Sequence, residues 1–75
     1  MTTVYAQEYR HVITALKKAR KTRGITQAQL AEAPGRPQSF IAKIEQGERR
    51  LDVVEFVHLA RLVGLEPEEI VKGIG

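Results

Sequence analysis

Side chains able to do covalent or metal chemistry are scarce in this sequence: one serine (Ser39), one aspartate (Asp52), two histidines (His11 and His58) and no cysteine. Nucleophilic catalysis needs a nucleophile, a base and an orienting group that converge. A triad of Ser39, a histidine and Asp52 is formally possible, and nothing in the spacing draws it together. The two histidines are not four apart, so no His-x-x-x-His pair faces one side of a helix, and the missing cysteines remove disulfides and thiolate zinc sites. Gly24, Gly35, Gly47, Gly64, Gly73 and Gly75 stand singly, as helix stops do, and form no phosphate-cradling loop. The expectation is a protein that is not an enzyme, with no metal and no cofactor. What the chain offers instead is hydrogen-bonding chemistry at helical spacing. At about 100° per residue, Gln38, Ala42, Gln46, Ser39 and Lys43 fall in one arc, with Phe40, Ile41 and Ile44 opposite. Glutamine pairs bidentately with adenine, lysine reaches guanine acceptors or a phosphate, and an alanine methyl meets a thymine methyl.

The charge is distributed to match such a partner. Residues 1–50 carry ten bases against Glu8, Glu32, Glu45 and Glu48, whereas residues 51–75 carry Arg61 and Lys72 against five acids. A basic half set against an acidic half points to a polyanion at the basic end, with double-stranded DNA the first candidate. The run from Lys17 to Arg23 reads equally well as a solvated helix face. At 75 residues the chain is one domain, read as 1–75. Its apolar stretches are too short to cross a bilayer, and the first eight residues lack the blocks of a signal peptide, so the expected setting is cytoplasmic, without a membrane.

The elements that must position the polar arc are all helical, and no β pattern, linker or repeat interrupts them. Tyr9, Val12, Ile13, Leu16 and Ala19 recur at three- and four-residue steps, predicting a first helix over roughly 8–22 that Gly24 stops. Thr26-Gln-Ala-Gln29 is a capping box opening a short second helix over about 27–33, and Pro34 biases Ala33 away from helical geometry. Pro37 suits the first position of a third helix ending near Gln46, before Gly47. Asp52-Val-Val-Glu55 is a second capping box ahead of the most apolar helix, which Gly64 closes. Pro67-Glu68-Glu69 starts a fifth helix carrying Ile70, Val71 and Ile74.

Two short helices joined by a tight glycine-containing turn, the second with a polar outer face, are the parts of a helix-turn-helix, spanning about 26–47. The stretch Gly24-Ile-Thr-Gln-Ala-Gln-Leu-Ala-Glu32, then Gly35-Arg-Pro-Gln-Ser-Phe-Ile-Ala-Lys-Ile-Glu-Gln-Gly-Glu-Arg-Arg50, then Leu59-Ala-Arg-Leu-Val-Gly64, closely resembles the Cro/C1-type helix-turn-helix regulators, also called the XRE family. The likeness runs from about residue 16 to 65. It implies an all-α, compact, five-helix, lambda-repressor-like domain that regulates transcription, most often as a repressor, and acts as a homodimer on a near-palindromic operator. Carried over by position, it makes Gln38, Ser39, Ala42 and Lys43 the base-reading residues. Gln27 would bond a phosphate and brace Gln38. Arg23, Arg36, Gln46, Gly47, Arg49 and Arg50 would complete the contacts to the phosphate chain.

Arg20 and Glu45 have a structural reading. Each lies four residues beyond an apolar position, Leu16 and Ile41, so both aim at the interior edge, and a mutual ion pair removes the cost of burying either alone. Phe40 reads as a core-edge or interface residue, and both histidines as ordinary helix residues. Ile70, Val71 and Ile74, with the end of the fourth helix, are the expected dimer interface. Pro34 departs from the family, which places a large aliphatic residue there to fill the core. The competing function is an antitoxin-like or helical protein-interaction module acting through the fourth and fifth helices. Large apolar anchors on the outer arc of the third helix would favour it, and the arc has none.

Overall fold

The computed structural model describes residues 4–74, which form five helices in order: α1 (Val4–Thr22), α2 (Gln27–Glu32), α3 (Gln38–Glu45), α4 (Val53–Leu62) and α5 (Pro67–Lys72). No strand occurs among the described residues. Four helices supply one core: Val12, Ile13 and Leu16 from α1, Leu30 and Ala31 from α2, Phe40, Ile41 and Ile44 from α3, and Leu59 and Ala60 from α4, with Val63 just beyond its end. Ile70 of α5 packs against its edge and Pro67 is buried. Ile41 and Val63 lose essentially all contact with water, and truncating a residue so placed typically costs about 2–5 kcal/mol. The polar face of α3 is therefore held by the burial of its other face.

Both capping boxes form. The Thr26 hydroxyl oxygen accepts the Gln29 N–H at 3.0 Å while Gln29 Oε1 accepts the Thr26 N–H at 2.9 Å. At α4, Asp52 Oδ1 accepts the Glu55 N–H at 2.8 Å and Glu55 Oε1 accepts that of Asp52 at 3.1 Å. Each satisfies donors that a helix start leaves without a partner.

Four helix ends differ from the sequence expectation. α1 begins at Val4 instead of Glu8, because no residue between them opposes helix even though the apolar stripe starts only at Tyr9. Pro37 is the N-cap of α3, not its first residue: its φ of −71° would suit either, but its ψ of 161° is extended, and Gln38 opens the helix. Gln46 lies just past α3 as its C-cap. Ala33 keeps helical geometry (φ −61°, ψ −46°) despite Pro34. The turn beyond it explains why, since the Gly35 N–H donates to the Glu32 carbonyl and the Arg36 N–H to that of Ala31, each at 3.0 Å. That paired closure needs a left-handed residue, and Gly35 supplies it at φ 70°. Proline at the position before it forfeits little, because the chain is already leaving the helix.

Candidate nucleic-acid interface

The site grows outward from one buried charge. Arg20, on the last turns of α1, is 7% exposed. Its Nε donates to Glu45 Oε2 at 2.7 Å, its Nη2 to Glu45 Oε1 at 3.0 Å, and its Nη1 to the Ile25 carbonyl at 2.8 Å. Glu45 Oε1 also accepts Gln27 Nε2 at 2.9 Å, and Gln27 Oε1 in turn accepts Gln38 Nε2 at 3.0 Å. The chain of bonds has a direction. A guanidinium can only donate and a carboxylate can only accept, so Gln27 must turn its NH2 to Glu45 and its oxygen to Gln38. Gln38 must then give one N–H to Gln27. Its oxygen and second N–H face outward as an acceptor–donor pair, which is the complement of adenine N6 and N7. Burial pushes the Glu45 carboxyl up, but hydrogen bonds from Arg20 and Gln27, with the charges of Arg20 and Lys17, outweigh it and hold the group below its ordinary value.

Along the same face Ser39, Lys43 and Gln46 are exposed and Ala42 is half-buried, while Phe40, Ile41 and Ile44 point into the core. The helix thus presents an outer surface of small and polar groups, beginning with the braced glutamine.

The loop after α3 closes on its own backbone. The N–H of Gly47 donates to the Ile44 carbonyl at 3.1 Å, and those of Glu48 and Arg49 to the Lys43 carbonyl at 2.9 and 3.2 Å. Gly47, at φ 82°, makes this tight reversal possible. The Arg49 guanidinium is also engaged: it donates to both carboxylate oxygens of Glu55 at 3.0 and 3.1 Å and lies 4.5 Å from the centre of the Phe40 ring. That bidentate pair, joined by the Asp52 N–H, holds the Glu55 carboxyl below its ordinary value. Arg36 covers the same ring at 4.9 Å, and Arg50 lies 4.6 Å from the centre of the Tyr9 ring. Phe40 is thus a core-edge residue beneath two cations.

A family model described as a helix-turn-helix domain matches residues 13–75. A solved structure, an XRE-family like protein from Pseudomonas syringae pv. tomato str. DC3000, is 41% identical and aligns over 95% of this chain and 87% of that one, with a TM-score of 0.87. The chain belongs to the XRE-type helix-turn-helix family. Membership makes it a DNA-binding regulator, of a kind that is typically not enzymatic. No functionally curated protein matches.

Other residues singled out in the sequence sit around this XRE-type core. Arg23 lies against the end of α4, where a Cβ on Gly64 would collide with its guanidinium. His11 and His58 are exposed on α1 and α4. Glu8 and His11, and Glu55 and His58, have the three-residue spacing of a ligand pair, yet among the described residues no three acidic or histidine side chains gather to hold a metal. No helix among the described residues is long and apolar enough to cross a membrane.

Two open apolar grooves border α4. One is a groove of 190 Å³ floored by Tyr9, Val12, Leu51 and Phe56 and edged by Val53, Val71 and Ile74. These three are 77%, 53% and 41% exposed, whereas Ile70 is half-buried against the core. The exposed apolar side of α5 therefore adjoins the start of α4, not its end. The other is an open groove of 450 Å³ between the end of α2 and α4, lined by Ala33, Pro34, Phe40, Val54, His58, Leu59 and Leu62. Pro34 is exposed at its lip, and the space a larger aliphatic side chain could occupy is left open.

No sequence signal marked Arg10. Its guanidinium reaches the α3–α4 loop, with Nη1 3.3 Å from where a Gly47 Cβ would stand. Arg10 lies seven residues before Lys17, close to two full helical turns, so the two share the side of α1 that faces α3.

Proposed function

We propose that this protein is a sequence-specific transcriptional repressor that binds a near-palindromic operator as a homodimer, with α3 in the major groove of each half-site. The observation that supports it most directly is the one-way relay from Arg20 through Glu45 and Gln27 to Gln38, which presents an acceptor and a donor toward an adenine edge. Ser39 and Ala42 read the neighbouring pairs, and Lys43 takes a guanine or a phosphate. The second amide hydrogen of Gln27, with Arg36, Gln46 and Arg50, contacts the backbone, which positions the helix without reading sequence. No large apolar anchor stands on the outer face of α3, and this favours a duplex over a protein partner there.

One recognition helix covers too few base pairs to single out a site, so a second copy is needed about one helical turn away. The edge formed by Val53, Val71 and Ile74 suits an isologous contact, in which each residue faces its own counterpart across a two-fold axis. A dimer covering an operator represses by excluding other proteins from it.

Selection of bound sites from random duplex DNA tests the reading. Two inverted half-sites with centres about 10–10.5 base pairs apart, or a multiple of that, are expected. Recovery of no enriched sequence refutes DNA reading, and recovery of a single unrepeated half-site refutes the dimer.

A further inference from the structure

We infer that Arg10 is a DNA-backbone contact that acts with Arg50, on a loop held in place by Tyr9. The inference rests on the DNA-binding reading above and adds to it a phosphodiester site on the N-terminal half of α1. Four contacts tie that part of α1 to the α3–α4 loop. The Tyr9 hydroxyl accepts the Leu51 N–H at 3.1 Å and donates to the Arg49 carbonyl at 3.4 Å, so it fixes the backbone on both sides of Arg50. The Tyr9 ring carries the Arg50 guanidinium at 4.6 Å. Arg10, the next residue, lays its guanidinium against Gly47 on the same loop.

The electrostatics separate these two arginines from Arg49. The Arg49 guanidinium is occupied by Glu55, and Arg20 by Glu45. Arg10 and Arg50 are exposed, and among the described residues neither forms an ion pair. An exposed guanidinium without a carboxylate partner, on a fork that matches two phosphate oxygens, is the group that anion binding selects. Two of them flank one turn here. The backbone at the tip of the loop has little to offer, since the N–H groups of residues 47–49 are spent on the carbonyls of Ile44 and Lys43. The side chains of Arg10 and Arg50 therefore take over the grip on the phosphate.

Affinity for the selected operator, measured between 50 and 200 mM salt, tests this with Arg10→Gln, Arg10→Lys and Arg61→Ala. Each phosphate neutralised contributes about 0.9 to the logarithmic salt slope, so losing one shrinks the fall over that range by about 3.5-fold per subunit. Arg10→Gln should show that loss equally on operator and unrelated DNA, with an unchanged melting temperature. Arg10→Lys should keep the wild-type slope, as should Arg61→Ala, whose charge lies exposed on α4 beside the Pro34 groove. A wild-type slope in Arg10→Gln overturns the inference and leaves the DNA-binding reading standing. Slopes reduced alike in Arg10→Gln and Arg10→Lys mark a structural role and also overturn it. If the wild-type protein binds no duplex, both fall.

Discussion

Replacing Glu45 by glutamine asks whether the buried ion pair sets the edge that Gln38 presents and, with it, the base preference proposed for that residue. In the wild type the carboxylate accepts two bonds from Arg20, at 2.7 and 3.0 Å, and one from Gln27 at 2.9 Å. A glutamine at 45 keeps one acceptor oxygen and gains a donor. With the oxygen on Arg20, its NH2 faces Gln27, which must turn its own oxygen to meet it. Gln27 then offers an N–H to Gln38, and Gln38 turns in response, leaving only its NH2 outward. The outward edge changes from acceptor plus donor to donors alone, so preference at that base pair should move from adenine toward guanine, whose N7 and O6 both accept. Removing one partner of a buried pair costs about 3–5 kcal/mol. Because one Arg20 bond survives, about 3 kcal/mol is expected, which a domain of roughly 5–15 kcal/mol tolerates. Urea denaturation reads the first quantity as a lower midpoint at constant slope, and site selection with the variant reads the second. A loss under about 1 kcal/mol, or an unchanged adenine preference in the folded variant, refutes the relay. The double variant Arg20→Met/Glu45→Leu guards against simple unfolding, since an apolar replacement of a buried pair is often neutral or stabilising. It should fold and lose discrimination at that base pair, because nothing then orients Gln27.

Four further outcomes follow from the same geometry. Gln38→Ala should cost about 1–3 kcal/mol on the operator and relax preference at one base pair per half-site; an equal loss on every sequence would show that Gln38 reads no base. Val71→Asp should convert a dimer to monomers in sedimentation, whereas Ile70→Asp should instead unfold the chain, since Ile70 packs against the core and Val71 does not. Pro34→Leu should raise stability by about 1 kcal/mol in thermal unfolding, the gain from burial in the α2–α4 groove exceeding the entropy proline had removed from the unfolded chain; destabilisation would show that the groove cannot close on a side chain. Glu45 and Glu55 both titrate below the ordinary 4.5 when folded. Their contribution is therefore complete above about pH 4.5 and is lost as pH falls through the lowered values, because the unfolded chain takes up protons first. A urea midpoint that stays flat from neutral pH to pH 3 would contradict this.

What the sequence reveals follows the range of the interaction. The capping boxes at Thr26 and Asp52 are complete within four residues, so the starts of α2 and α4 are legible directly. The meeting of Arg20 and Glu45 is nearly as legible, because each sits one turn beyond an apolar residue that must face the core. The proline-bearing ends are not. A φ near −70° serves a cap and a first helical residue alike, and the ψ of Pro37 is set by how α3 packs. Arg49 on Glu55, Arg10 on Gly47 and Arg23 over Gly64 are invisible in the sequence for one common reason. Each joins elements whose crossing is decided by the core, and an arginine outside the core carries no periodic signal that says which neighbour it will find.

Those crossings converge on α1. From Tyr9 to Thr22, just before Arg23, the helix rises about 20 Å. One end holds the loop that carries Arg50, the other lies over the end of α4, and between them Arg20 orients the relay to Gln38. Burial of Val12, Ile13 and Leu16 fixes its rotation. A turn of one residue, about 100°, would take Arg20 off Glu45 and Tyr9 off the loop together. The α3–α4 loop and Gln38 are thus positioned by a single rigid helix that stands outside the helix-turn-helix itself, so on the proposed reading a substitution loosening the α1 core should blur sequence preference and weaken phosphate contact in parallel, without touching any residue on the outer face of α3.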